Sequence, residues 1–191
     1  MKNIIQFALV IIIAGGAGFG LQRYIQQDDR QLAPIIPNAV NENVIGKTRP
    51  AFELIDTNEK LRNIDEWNGK VLLVNFWATW CPPCKKEMPA FIELQEQYSA
   101  QGFQVIGLAI DDMESVKDFV ETLGVNYPAL IADYSGIELS REYGNHIGAL
   151  PFSVFVGRNG KILVTKTGEL SKKQVEDIIL PLLKQEIIGG N

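Results

Sequence analysis

The sequence predicts an α/β domain: a mixed central β-sheet with helices on both faces. Three observations lead there. VLLVNF (Val71–Phe76) and FQVIGLAI (Phe103–Ile110) are apolar, β-branched runs with little polar interruption, the pattern of strands covered on both sides. Each run is followed by helical apolar spacing. Met88, Phe91, Ile92, Leu94 and Tyr98 recur before Gly102, and Val116, Phe119, Val120 and Leu123 recur before Gly124. Two such strand–helix passages require parallel pairing through right-handed crossovers. The third observation is a hairpin: FSVFV (Phe152–Val156) and ILVTK (Ile162–Lys166) flank the turn sequence GRNG (Gly157–Gly160).

In chain order, Ile4–Leu21 comes first, eighteen residues without a charge and interrupted only by Gln6. As a helix it would reach about 27 Å, close to the thickness of a bilayer's hydrocarbon core. Lys2 precedes it and Arg23 follows, a weak bias that places the N-terminus in the cytoplasm and the rest outside. Residues 1–22 therefore read as one N-terminal transmembrane helix, a membrane anchor in the lipid bilayer. A cleaved signal peptide is the competing reading, because AGGAGFG (Ala14–Gly20) is built from small residues. Residues 23–48, with Pro34 and Pro37 among Gln, Asn and Asp, read as a polar linker, and residues 49–189 as the folded domain.

Within the domain, Phe52, Leu54 and Thr57 belong to a half-buried strand, with a return strand starting at Leu61 and Arg62 and a turn at Asn68–Gly69. Pro128–Asp133 reads as a short strand and Ile137–Tyr143 as a short helix. Ser171 and Gln174 form a capping box that opens a last helix along Val175, Ile178, Ile179 and Leu182, with Pro181 late in it. Four to six strands are expected in all.

Composition excludes several classes. At 46% hydrophobic and 21% charged residues, the chain is globular. The net charge is -5, and basic residues never run beyond pairs such as Lys85–Lys86, so there is no basic face for a nucleic acid. Two cysteines and one histidine, His146, are too few for a zinc shell unless carboxylates complete it. His146 reads as a loop residue without a chemical role.

The chemistry lies in NFWATWCPPCKKEMP, Asn75–Pro89. A structural disulfide between Cys81 and Cys84 would close too short a loop to constrain the unfolded chain much. A redox pair fits better. Cys81 follows a buried strand, and Pro82 stands where a first helical residue belongs, so Cys81 sits at the N-cap. Free backbone N–H groups and the helix dipole there favour a thiolate. Cys84, one turn on, is placed to resolve a mixed disulfide formed at Cys81.

This stretch resembles the active-site segment of the thioredoxin superfamily. In particular it resembles membrane-anchored extracytoplasmic proteins of the TlpA/ResA type, relatives of those that serve cytochrome c maturation. The likeness covers Arg49–Leu183. It includes Phe76, Trp77 and Trp80, the helix-kink proline Pro89, and GALPFSVFVGRNGKI (Gly148–Ile162). The resemblance implies a thioredoxin-like fold and a cis Leu150–Pro151 bond facing the cysteines. It also implies a client-binding surround of Trp80, Pro82, Pro83, Leu150 and Pro151. Asn75 stands where cytoplasmic thioredoxins carry a buried aspartate. Glu87 matches an acidic residue of the anchored subgroup, and is read here as a carboxyl of raised pKa that deprotonates Cys84; the competing reading is a solvent-facing helix carboxylate.

The implied activity is thiol-disulfide exchange without a cofactor or metal, catalysed by Cys81, Cys84 and Glu87. It would take place on the periplasmic side of a bacterial inner membrane. The implied partners are client proteins with cysteine pairs, such as apocytochrome c or copper-assembly proteins, and a membrane thiol-electron transporter that recharges the pair. Reduction of clients is the expected direction; a general disulfide oxidant and a redox-inert tethered binding domain are the alternatives. The sequence departs from the Gram-negative maturation type by lacking an acidic residue after Pro151, and from better-known members in its Pro82–Pro83 pair. Ala78, where a peroxidase would carry threonine, argues against peroxidase chemistry.

Overall fold

The computed structural model describes residues 44–184. The expected membrane anchor, nearly all of the linker and the C-terminal tail lie outside the described residues. Among the described residues no helix is long and apolar enough to cross a membrane.

The elements are β1 (Glu53–Asp56), β2 (Leu61–Asn63), β3 (Val71–Trp77), α1 (Pro82–Tyr98), β4 (Phe103–Ala109), α2 (Met113–Leu123), β5 (Ala129–Ile131), α3 (Ser135–Glu142), β6 (Phe152–Val156), β7 (Ile162–Thr167) and α4 (Lys172–Lys184). The strands form one sheet in the order β2-β1-β5-β4-β3-β6-β7. The two apolar runs, β3 and β4, pair in parallel at its centre, with Val71 opposite Phe103 and Trp77 opposite Ala109. β5 continues the parallel set, while β6 and β7 form the expected antiparallel hairpin beside β3. Among the described residues seven strands are present, rather than four to six. Each lies on a stretch whose sequence reads as extended; the three-residue strands β2 and β5 both pair with β1 and so join the sheet as full members.

The pleat divides the core into two. Val71, Leu73 and Trp77 face Met88, Phe91 and Leu94 of α1, Val116 and Val120 of α2, and Val175, Ile179 and Leu183 of α4. Leu72, Val74 and Phe76 face the other way, toward Phe52, Trp67, Tyr143 and, from α3, Ile137 and Leu139. Asn75 therefore points to the α1 face, although it is polar. Residues assigned to the linker also join the fold. Thr48 bridges to Lys161, the Gly46 N–H donates to the Ile162 carbonyl, and Val44 packs on the second core.

Candidate active site

β3 delivers the chain to the N-terminus of α1 through Ala78, Thr79 and Trp80. Cys81 is the N-cap in an extended conformation, Pro82 and Pro83 occupy the first helical turn, and Cys84 follows. The two sulfurs are joined in a disulfide, with Cα atoms 5.3 Å apart. Cys81 is 4% exposed and Cys84 fully buried, so attack from outside falls on the first sulfur. Neither proline has an N–H, which leaves Cys84 N–H, 3.4 Å from Cys81 Sγ, as the donor that meets this sulfur. Pro89 lies inside α1 and has no N–H to offer the Lys85 carbonyl. The Leu150–Pro151 bond is cis.

Glu87 follows Cys84 by three residues, on the same face of α1. It is 1% exposed, so the solvent-facing alternative does not hold. Its carboxylate accepts Asn75 Nδ2 at 2.8 Å and the Leu170 N–H at 2.9 Å. Asn75 Nδ2 also donates to Ser153 Oγ at 3.0 Å. Loss of water pushes the Glu87 carboxyl up to about 7; the two hydrogen bonds oppose that shift and the charge of Glu169 adds to it. The amide at position 75 thus holds a carboxylate in place of being one.

A family model described as Redoxin matches residues 45–179. The thiol-disulfide oxidoreductase ResA of Bacillus thuringiensis (strain Al Hakam) is 33% identical over 178 residues, 92% of this chain and 94% of that protein. The chain belongs to the Redoxin family. Solved structures agree. A thioredoxin-family thiol:disulfide interchange protein from Chlorobium tepidum TLS shares 29% identity with a TM-score of 0.66, over 71% of this chain and 95% of that one. StoA from Bacillus subtilis shares 26% with a TM-score of 0.56, over 68% and 96%. The fold is thioredoxin-like and ResA-like, and a disulfide-forming pair within it makes the protein a thiol-disulfide oxidoreductase.

In this Redoxin domain a groove opens beside the residue that precedes Cys81. Trp80 is 64% exposed, and with Leu150 it lines a groove of about 320 Å³. Ile110 and Ile137 contribute apolar surface there, and Asp111, Asp112 and Asp133 contribute acidic side chains. Trp77, by contrast, is entirely core, tilted against Phe119 at 5.4 Å. His146 lies on an exposed loop. The Thr79 hydroxyl and N–H both donate to Asp111, tying the segment before Cys81 to the loop after β4. Sequence reasoning missed Asp111, Ser153 and Leu170. Leu170 and Ser153 reach the site across 83 and 78 residues, so no local pattern announces them.

Proposed function

We propose that the protein reduces disulfides of specific client proteins on the extracytoplasmic side of a bacterial inner membrane, through Cys81 and Cys84 with Glu87 as proton acceptor. The observation that carries this reading is the buried Glu87 carboxyl. It sits one helical turn beyond the resolving cysteine and is poised near neutrality, where a base for a thiol is most effective.

The cycle starts from the dithiol. The Cys81 thiolate, favoured by the helix N-terminus and the Cys84 N–H, attacks one sulfur of a client disulfide. A Cys81–client disulfide forms and the other client sulfur leaves as a thiolate. Cys84 then passes its proton to Glu87, and its thiolate attacks Cys81 Sγ, expelling the second client sulfur. Two electrons move to the client, and the domain is left with the Cys81–Cys84 disulfide seen here. A membrane thiol-electron transporter would restore the dithiol. In this reading Trp80, Pro82, Pro83, Leu150 and Pro151 form the client-facing surround, supported by the exposure of Trp80 and by the groove that it lines with Leu150. Clients of the apocytochrome c or copper-assembly class suit an enzyme of this family, because their metal-binding cysteines must be reduced before they are loaded.

Cys84→Ser removes the resolving step and tests the reading. The variant should accumulate covalent adducts through Cys81 in cells, and reducing agent should release one or a few client proteins. Adducts absent from Cys84→Ser, or equally abundant in a Cys81→Ser control, would count against it.

A further inference from the structure

One buried side chain governs the loop that forms a wall of the groove. Asn145 is 2% exposed, and all its polar groups are used. Its N–H donates to the Ser140 carbonyl at 2.9 Å and its carbonyl accepts the Gly148 N–H at 3.2 Å. Its side-chain Oδ1 accepts the Ala149 N–H at 3.1 Å, while Nδ2 donates to the Ala149 carbonyl at 2.9 Å. Nδ2 also lies 3.4 Å from Ser140 Oγ, whose hydroxyl donates to the Ile137 carbonyl. The double contact on Ala149 copies a β-bridge with a side-chain amide, and it consumes both hydrogen-bonding groups of that residue.

Its neighbours differ. The Pro151 carbonyl accepts the Gly168 N–H at 2.8 Å, and Pro151 has no N–H. Leu150 stands between them, half-buried on the groove, and no hydrogen bond within the described residues occupies its N–H or its carbonyl. In the stretch 149–151, Leu150 alone has both backbone groups without a partner among the described residues.

We propose that Asn145 is a positioning residue for client binding: by locking Ala149 it leaves Leu150 as the single pairing residue, and so fixes the register in which an extended client chain brings its cysteine to Cys81. The inference rests on the client-reduction reading and deepens it. The preferred client is an extended segment with a free N–H and carbonyl at one set distance from its cysteine. Proline at that one place is excluded, because it has no N–H to pair.

The test uses the full chain in detergent, pre-reduced, with two substrates: an oxidised peptide containing a Cys-X-X-Cys disulfide, and a small aromatic disulfide that needs no backbone pairing. Asn145→Ala should raise KM for the peptide about threefold to tenfold, the equivalent of one to two hydrogen bonds, with kcat and the rate on the small disulfide little changed. A proline scan of the peptide should show one sensitive position with the wild type. With Asn145→Ala, which frees Ala149, that sensitivity should spread or fade. If Asn145→Ala does not fold, Asn145→Asp, which keeps the Oδ1 acceptor and loses the donor, should raise peptide KM in the same direction. A folded variant with unchanged peptide KM, or with both substrates slowed alike, overturns the proposal while leaving client reduction intact. A wild-type chain that exchanges with the small disulfide but not with the peptide overturns both.

Discussion

Glu87 carries an unfavourable burial, offset only in part by its hydrogen bonds from Asn75 and the Leu170 N–H. A helix carboxylate facing solvent would keep its ordinary pKa; this one is driven from 4.5 to about 7. The native state therefore binds a proton that the unfolded chain has already released, and between about pH 4.5 and 7 stability falls as pH rises. The shift corresponds to roughly 3 kcal/mol, present below the unfolded pKa and lost as pH climbs through the folded one. Denaturant unfolding of the oxidised chain at pH 5 and pH 8 should show this loss, and Glu87→Gln should flatten it; an equal slope in both proteins would remove Glu87 as its source. In the reduced protein, the same variant should change the cysteine titration and slow resolution of a Cys81 mixed disulfide by about tenfold or more. Unchanged titration and unchanged resolution would end its proposed role. The cysteines were legible in the sequence because their chemistry is written locally, in a strand followed by CPPC and a helix. The hold on Glu87 was not, since its partners Asn75 and Leu170 come from β3 and from the loop before α4.

α1 is read most easily at its first turn. An N-cap side chain normally accepts from the second or third helical N–H. With proline at the second position, Cys81 Sγ has one such donor, the Cys84 N–H. Pro83→Ala restores the missing N–H. A hydrogen bond to a charged acceptor contributes about 1.5–3 kcal/mol, so Cys81 should titrate about one unit lower. Stabilising the thiolate stabilises the reduced form, and the couple should become more oxidising by roughly 30 mV. Thiolate absorbance and equilibration against glutathione measure the two effects; an unaltered pKa and potential would mean that the second N–H does not reach the sulfur. The same helix shows why the larger fold was legible. Met88, Phe91 and Leu94 repeat at helical spacing and are all buried against β3 and β4, whose apolar runs admit few other partners. β2 and β5, three residues each, are placed at Leu61–Arg62 and Pro128–Asp133 by their turn-bounded sequence, but only their pairing shows that they belong to the one sheet.

For the molecule as a whole, the redox pair and the uncharged N-terminal run occupy different parts of the chain. Both cores, both cysteines and the Glu87 network lie within residues 44–184. Yet the match to Bacillus thuringiensis ResA covers 92% of the chain, which leaves only about 15 residues outside it, so it extends into the N-terminal 43. We propose that Ile4–Leu21, an uncharged run close to the length that spans a bilayer's hydrocarbon core, anchors the domain. The full chain expressed in bacteria should stay with membranes through alkaline washing, keep its N-terminal residues, and be cut by protease added to spheroplasts. Deleting residues 1–22 should release the protein while its rate on a small disulfide stays within about twofold, because the deletion touches neither core. Alkaline extraction of the full chain, or a mature N-terminus found downstream of Gly20, would instead make the segment a cleaved signal. Loss of exchange in the shortened chain would show that the first residues support the fold and do more than locate it.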